Sequence, residues 1–383
     1  MFYMRRLPNR RWFVQWLAVL AGLWVSVACA GPSRGVQVDS YLEIIRNTPY
    51  WYSQGVAHNL ETIRRWVLLG RGYCSRPHRQ LLFDRRGRFL TFIDNADTTA
   101  ATVERLNEVR RRLADEGKVA YWSAGKADFP GYPFALSCDQ PDVDIGDAID
   151  RLAGGESDYL VWGTWDGMHV GTRRDPVSLV ALIHTVYARL KDRGTVSFPE
   201  SMMPAFLGKT IIESGGKKHA LSTESARGIM QLQPSVLDDC EIPKDFRLHR
   251  MAQVDCALRL VQQNDRNLAE PFNAVFGKLP EPKRDRLYRL LLIQAYQIGV
   301  GRMIELLKDK ELGEAARYFA QHEDRFNAED IQTGMMFHNL GRRDIGMMTL
   351  YYVTDVGIAT RALCASKTMH DDLWCQYAVQ HWP

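Results

Sequence analysis

Thr210-Ile211-Ile212-Glu213-Ser214-Gly215-Gly216 sets a carboxylate behind two apolar residues, at the point where a helix is expected to stop. Helices commonly end at glycine, because the left-handed cap is strained for any residue carrying a Cβ. A carboxyl group held against Ile211, Ile212 or their neighbours loses hydration, and its pKa rises. A carboxylic acid that stays protonated near neutral pH is what general-acid cleavage of a glycosidic bond requires. Position alone does not establish such a role, since a glutamate at a helix end is ordinarily a solvated surface residue.

Outward from Glu213, the C-terminal half reads as helical. Apolar periodicity predicts helices over 177–190, 202–212, 229–237, 251–263, 286–298, 302–307, 315–321 and 349–362. The N-terminal texture is different. Tyr41, Ile44, Ile45, Leu60, Ile63, Val67 and Leu68 recur at helical spacing within 38–69. Residues 81–83 pair in expectation with 89–93, and a helix capped by Asp97 or Thr98 runs to Asp115 on Val103, Leu106, Val109 and Leu113. Strands are expected at 119–122 and 159–162, and Asp166-Gly167 favours a tight hairpin turn leading to His169-Val170. The acidic stretch 139–147 (Asp139, Asp142, Asp144, Asp147) lacks the ligand spacing and terminal Glu of a calcium loop. It reads as a solvated turn in which Asp147 caps a short helix. Taken together, the fold class is mainly α: a helical domain over 176–383 preceded by a smaller mixed α+β region over 31–175, with the boundary near Arg174–Pro176.

Composition narrows the function. Hydrophobic residues make up 46% and charged residues 25% of the 383 residues, values of an ordinary globular protein. The 49 Lys and Arg exceed the 45 Asp and Glu only because of Arg5, Arg6, Arg10 and Arg11. Without those four the chain is neutral, so no basic field points to nucleic acid. The arginines precede an apolar run from Trp12 to Ala28 and then the small residues Ala28-Cys29-Ala30-Gly31, which reads as an export signal over 1–30. Cleavage before Gly31, lipidation at Cys29, a twin-arginine signal at Arg10-Arg11 and an uncleaved anchor all remain open. Each places the protein in the periplasm or cell envelope. Beyond Cys29, the even set Cys74, Cys138, Cys240, Cys256, Cys364 and Cys375 favours disulfides in an oxidising compartment. Pairing by proximity gives Cys74–Cys138, Cys240–Cys256 and Cys364–Cys375. His370 and His381 interleave with the last pair, but the spacing is not that of a structural zinc site.

Three blocks then give Glu213 a context. Counting from Glu213, Ser214 follows directly, Ser222 stands at nine, Ala226 at thirteen, and Gly228-Ile229-Met230-Gln231 at fifteen to eighteen. Downstream come Ala295-Tyr296-Gln297-Ile298-Gly299-Val300-Gly301-Arg302 and then Thr349-Leu350-Tyr351-Tyr352-Val353. In order and register these blocks resemble the soluble lytic transglycosylase family, which has a goose-lysozyme-like fold; the resemblance covers about 176–362. Ser225 stands where that family usually has Gly, and Gln297 where it has Asn. Ser225 implies a backbone that does not need positive φ there, and Gln297 re-aims the amide on a longer stem.

The resemblance implies a peptidoglycan lytic transglycosylase, a carbon–oxygen lyase needing no cofactor or metal. Glu213 would protonate the oxygen of the β-1,4 bond between N-acetylmuramic acid and N-acetylglucosamine. It would then deprotonate the muramyl 6-hydroxyl, closing a 1,6-anhydro ring. Ser222, Met230, Gln231, Tyr296, Gln297 and Tyr352 are the implied substrate-groove residues, and Gly228 and Gly299 the structural glycines. Glu224 falls at a variable position and reads as surface. Two alternatives stay open: a muramidase that admits water on the same scaffold, and a non-catalytic peptidoglycan-binding envelope protein working through its N-terminal region. The partner in every case is the peptidoglycan strand. Envelope proteins are further candidates through residues 31–175, where Trp122, Trp162 and Trp165 are expected mostly in core positions rather than stacked on sugar.

Overall fold

The computed structural model describes residues 34–139, 143–155 and 157–381. The export signal, Cys29 and Asp142 lie outside them. In chain order the elements are β1 (Val36–Gln37), α1 (Tyr41–Arg46), α2 (Val56–Leu68), β2 (Arg79–Phe83), β3 (Phe89–Asp94), α3 (Thr99–Asp115), β4 (Tyr121–Trp122) and β5 (Phe134–Ser137). There follow α4 (Ile145–Ala153), β6 (Gly163–Trp165), β7 (Met168–Val170), α5 (Leu179–Asp192), α6 (Met203–Ser214), α7 (Pro234–Asp239) and α8 (Arg250–Phe276). The chain closes with α9 (Glu281–Ile298), α10 (Val300–Lys308), α11 (Glu314–Gln321), α12 (Ala328–His338), α13 (Met347–Cys364) and α14 (Leu373–His381). The protein is mainly helical, with short sheets confined to the N-terminal part.

The period of two in β2 explains how those sheets sit. β2 is the middle strand of the antiparallel order β3-β2-β5. Leu81 and Phe83 point into the main core, while Leu82 points the other way into a satellite core with Leu106, Val109 and Leu113 of α3. Thr98, not Asp97, caps α3 by accepting from the amide of Ala101 at 3.1 Å. Asp166 and Gly167 both take positive φ, 49° and 70°, between β6 and β7, which matches the twist of a two-residue hairpin.

Several expected elements are corrected. Residues 159–162 form no strand; only an isolated bridge joins Val161 to Val177. Asp144, not Asp147, caps α4, its carboxylate accepting from the Asp147 amide at 2.9 Å. The helix expected over 229–237 begins only at Pro234, which suits a first helical turn because its missing N–H has no partner there. α8 runs on to Phe276, through polar Asn264–Asn267 and Pro271, because Leu268, Phe272 and Phe276 are buried. α12 was not legible at all: apart from Glu329 every residue from Ala328 to His338 is buried, and a helix buried on all sides has no amphipathic period. Trp122 is core, but Trp162 is 55% exposed and Trp165 lies half-buried against Phe246 and His249.

The main core runs through both halves of the chain, from Ile44, Leu60 and Phe134 to Leu207, Met230 and Val356. Polar ties reinforce it. Asp330 of α12 caps α2 from across the fold, accepting from the amides of Gly55 and Ala57 at 2.8 and 3.0 Å. Arg64 of α2 meets Asp355 of α13 as a bidentate pair at 2.7 and 2.6 Å, with both side chains about 5% exposed or less. The cysteines form Cys74–Cys138, Cys240–Cys256 and Cys364–Cys375, closing separations of 64, 16 and 11 residues.

Removing one member of a buried ion pair leaves the other charge unpaired, which typically costs about 3–5 kcal/mol. Asp355→Ala is therefore expected to lower the urea-unfolding free energy by about that amount. The double variant Arg64→Met/Asp355→Leu should lose clearly less; an equal or larger loss would mean that the charges themselves are not the source of the effect.

Candidate functional site

α6 is buried along nearly its whole length, Met203 to Ile211, and delivers Glu213 at its open end. Its depth depends on Gly208. A Cβ built there would sit 2.1 Å from Thr360 Oγ1 and 2.7 Å from the Val356 carbonyl, so α13 approaches this closely only because position 208 has no side chain. Glycine inside a helix is destabilising by about 1 kcal/mol relative to alanine, and close packing is what it permits in return. Thr360, Val356 and Tyr352 are spaced at i, i+4 along α13 and so share a face. The helices run antiparallel, with Thr360 donating to the Pro204 carbonyl at 3.4 Å at one end. At the other end Tyr352 Oη donates to Glu213 Oε1 at 2.6 Å.

The helix stops where the glycines predict. Gly215 adopts φ 58° and returns its amide to the Ile211 carbonyl, while Arg151 of α4 donates to the Gly215 carbonyl at 2.7 Å. Ser214 ties the end down, its hydroxyl donating to the Ile229 carbonyl at 2.8 Å. Glu213 is thus held with its carboxyl partly buried beside Tyr352. Burial pushes its pKa up from the usual carboxylate range, and the charge of Lys209 and the Tyr352 hydrogen bond hold the rise in check. Burial and the neighbouring Glu213 also push the Tyr352 hydroxyl well up, so it stays a donor.

The motif loop after Glu213 is folded on itself rather than helical. Ser222 is half-buried, and its Oγ accepts from the amides of Glu224 and Ala226 at 3.2 and 3.0 Å. Ser225 takes φ 67°, which corrects the expectation that serine there signals an ordinary backbone; the left-handed turn is kept and the residue carries its strain. Gly228, at φ 72°, is a true close-approach glycine, since a Cβ would lie 2.2 Å from Gln253 Nε2. Gln253 is fully buried and organises the loop. It donates to the carbonyls of Arg227 and Arg247 and accepts from the Met230 amide at 3.1 Å. Met230 is buried beneath the site, and Tyr296 Oη is committed to its carbonyl at 3.0 Å. Gln231 has φ 46° and donates from its amide to the Gly228 carbonyl at 2.9 Å. Strained non-glycine backbone of this kind clusters at functional sites.

Tyr352 and Tyr296 both reach the neighbourhood of Glu213, by different routes: the first by direct hydrogen bond, the second through the electrostatic field of the acid. Gln297 does not join them. Its amide belongs to a chain from Gln332 to Gln294 to Gln297, ending on Thr349 at 3.5 Å. Gly299 marks the break between α9 and α10, at φ 83° and ψ 142°, a conformation essentially reserved for glycine. Sequence reasoning missed Gly208, Lys209, Arg151 and Gln253. A lone glycine inside a helical pattern was the available signal for the first; the others act on partners remote in sequence.

Tyr352→Phe removes the donor that favours the ionised acid, so the Glu213 pKa is expected to rise further when followed by carboxyl-carbon NMR. An unchanged titration would mean that the hydroxyl is not coupled to the acid. Gly228→Ala combines a left-handed backbone with a contact on Gln253 and should destabilise by about 2 kcal/mol or more in thermal unfolding. Compared with protein-family models, with curated proteins and with solved structures, the chain has no match.

Proposed function

We propose that the protein is a lytic transglycosylase of peptidoglycan, with Glu213 as its single acid and base and a lysozyme-like arrangement of its helical half. One observation carries the reading. The motif glutamate stands at the end of a buried helix, its carboxyl pKa raised by burial and one oxygen engaged by Tyr352 at 2.6 Å. Among the described residues the polar groups that act on Glu213 are Lys209 and Tyr352, and neither is a carboxylate. Glycosidases working through two carboxylates need the second as nucleophile or water-activating base. A lone acid fits a reaction in which the substrate supplies its own nucleophile.

In that reaction Glu213 gives its proton to the glycosidic oxygen as the bond to the muramyl C1 breaks. The resulting carboxylate takes the proton of the muramyl 6-hydroxyl, whose oxygen closes onto C1, and the acid is restored without water. One group can serve in both directions if its pKa lies near the working pH, which is the direction in which burial moves Glu213. Tyr352 fixes the orientation of the carboxyl, and the Gln231 turn adjoins it above the buried Met230. Three disulfides accord with an oxidising, extracytoplasmic location, where peptidoglycan lies.

Digested sacculi analysed by mass spectrometry should contain 1,6-anhydromuramoyl ends, and Glu213→Gln should abolish them. Loss of one general acid/base of this kind is expected to reduce turnover by about 10²–10⁴-fold. Reducing ends without anhydro-sugar would make the protein a muramidase. Binding of sacculi by wild type and variant alike, with cleavage by neither, would make it a binding protein.

A further inference from the structure

Lys209 stands one turn before Glu213 on α6 and is only 3% exposed. Its surroundings are apolar: Phe198, Met202, Phe206, Val261, Leu292 and Tyr296 line with it a crevice of about 20 Å³, with no room for a further side chain. Among the described residues its ammonium has no hydrogen-bond partner. It lies 3.0 Å from the centroid of the Tyr296 ring and 4.5 Å from that of Phe206, a cation–π arrangement on two faces. The Tyr296 hydroxyl is meanwhile occupied by the Met230 carbonyl. A buried cation without an anion is unfavourable, and the fold places it at the i, i+4 position to Glu213.

The other ionisable groups around this pair are committed elsewhere. Tyr352 of α13 is bonded to Glu213 itself, Arg151 of α4 to the Gly215 carbonyl, and Asp255 of α8 to Arg259. α14 presents Trp374, Cys375 and Ala378 from its buried side. Glu224 and Arg227 of the motif loop are exposed. Glu213 is the one group whose charge acts on Lys209 among the described residues.

We propose that Lys209 is a positioning residue for Glu213, a buried counter-charge that finds its anion only after the acid has given its proton away. The inference rests on the transglycosylase reading for the identity of the proton's recipient, and on geometry for the rest. While Glu213 is protonated, the ammonium has only ring faces beside it. Once the proton has passed to the leaving oxygen, a carboxylate stands one turn away in a poorly hydrated setting, where Coulomb attraction is strong. The interaction is stronger later in the reaction than in the ground state, the condition for it to increase rate. Lys209 itself transfers no proton. Burial pulls its pKa well down and an ionised Glu213 pulls it back up, so the lysine is most firmly charged once the acid has become a carboxylate.

The test is Lys209→Met, of similar length and uncharged, with Lys209→Gln as a polar neutral control. Both should fold, and Lys209→Met should melt at a higher temperature because an unpaired buried charge is gone. The ionisation of Glu213, followed by carboxyl-carbon NMR and assigned with Glu213→Gln, is expected to move up by about one pH unit in both variants. Cleavage of sacculi at neutral pH should fall about tenfold or more, and the alkaline limb of its pH profile should move up with the titration. An unchanged Glu213 titration with an unchanged profile would overturn the proposal and leave Lys209 a packing residue, whatever the enzyme cuts. A shifted titration in a protein that cuts no sacculi would sustain the charge pair and sink the transglycosylase reading instead.

Discussion

The close crossing of α6 and α13 is the constraint on which the site depends. With no Cβ at Gly208, Thr360 and the Val356 carbonyl come against the α6 backbone, and the same antiparallel contact carries Tyr352 to Glu213. An alanine at 208 would have to push the helices apart, and the hydrogen bond on the acid would lengthen with them. Packing at one end of the crossing thus sets chemistry at the other. Protein interiors are dense enough for such a displacement to be transmitted rather than absorbed.

α13 is held on a second side by the N-terminal part of the chain. The Arg64–Asp355 pair joins it to α2, and Asp330 of α12 completes the start of α2. The helix that presents Tyr352 is therefore clamped between α6 and a region with no recognisable motif of its own. Among the described residues the N-terminal part contributes no group bonded to Glu213, yet its core is continuous with that of the helical half. Its effect on the site is mechanical, through the position of α13 and through Arg151 of α4, which holds the Gly215 carbonyl at the end of α6.

Around the acid, polar groups are assigned in a definite order. The loop spends the Ser222 hydroxyl and the Gln253 amide on its own backbone. Tyr296 is tied to Met230, and Gln297 to a neighbouring amide chain. Buried polar groups need partners, and once these are satisfied Tyr352 and Lys209 are the groups, among the described residues, that shift the Glu213 acid. Several side chains that the motif implies as sugar contacts thus serve to shape the loop that would meet the sugar.

Much of this was legible in the residues themselves. The helix end at Gly215, the hairpin at Asp166-Gly167 and the cap at Thr98 follow from local rules, because caps and turns depend on neighbours in sequence; the three cysteine pairs agree with pairing by proximity, though no local rule selects them. The candidacy of Glu213 came from motif register. Elements whose reasons are remote did not show. α12 is buried all round and so has no period, and the second half of α8 is held by Phe272 and Phe276 despite Pro271. Ser225 was misread because its left-handed backbone is imposed by the loop rather than announced by the residue. The sequence by itself determined that an acid would stand where a helix ends, since apolar spacing and a glycine cap are encoded in adjacent residues. Only the tertiary structure decided what that acid is surrounded by: Tyr352 lies 139 residues away, and the partnerless state of Lys209 is a property of packing, which no local pattern records.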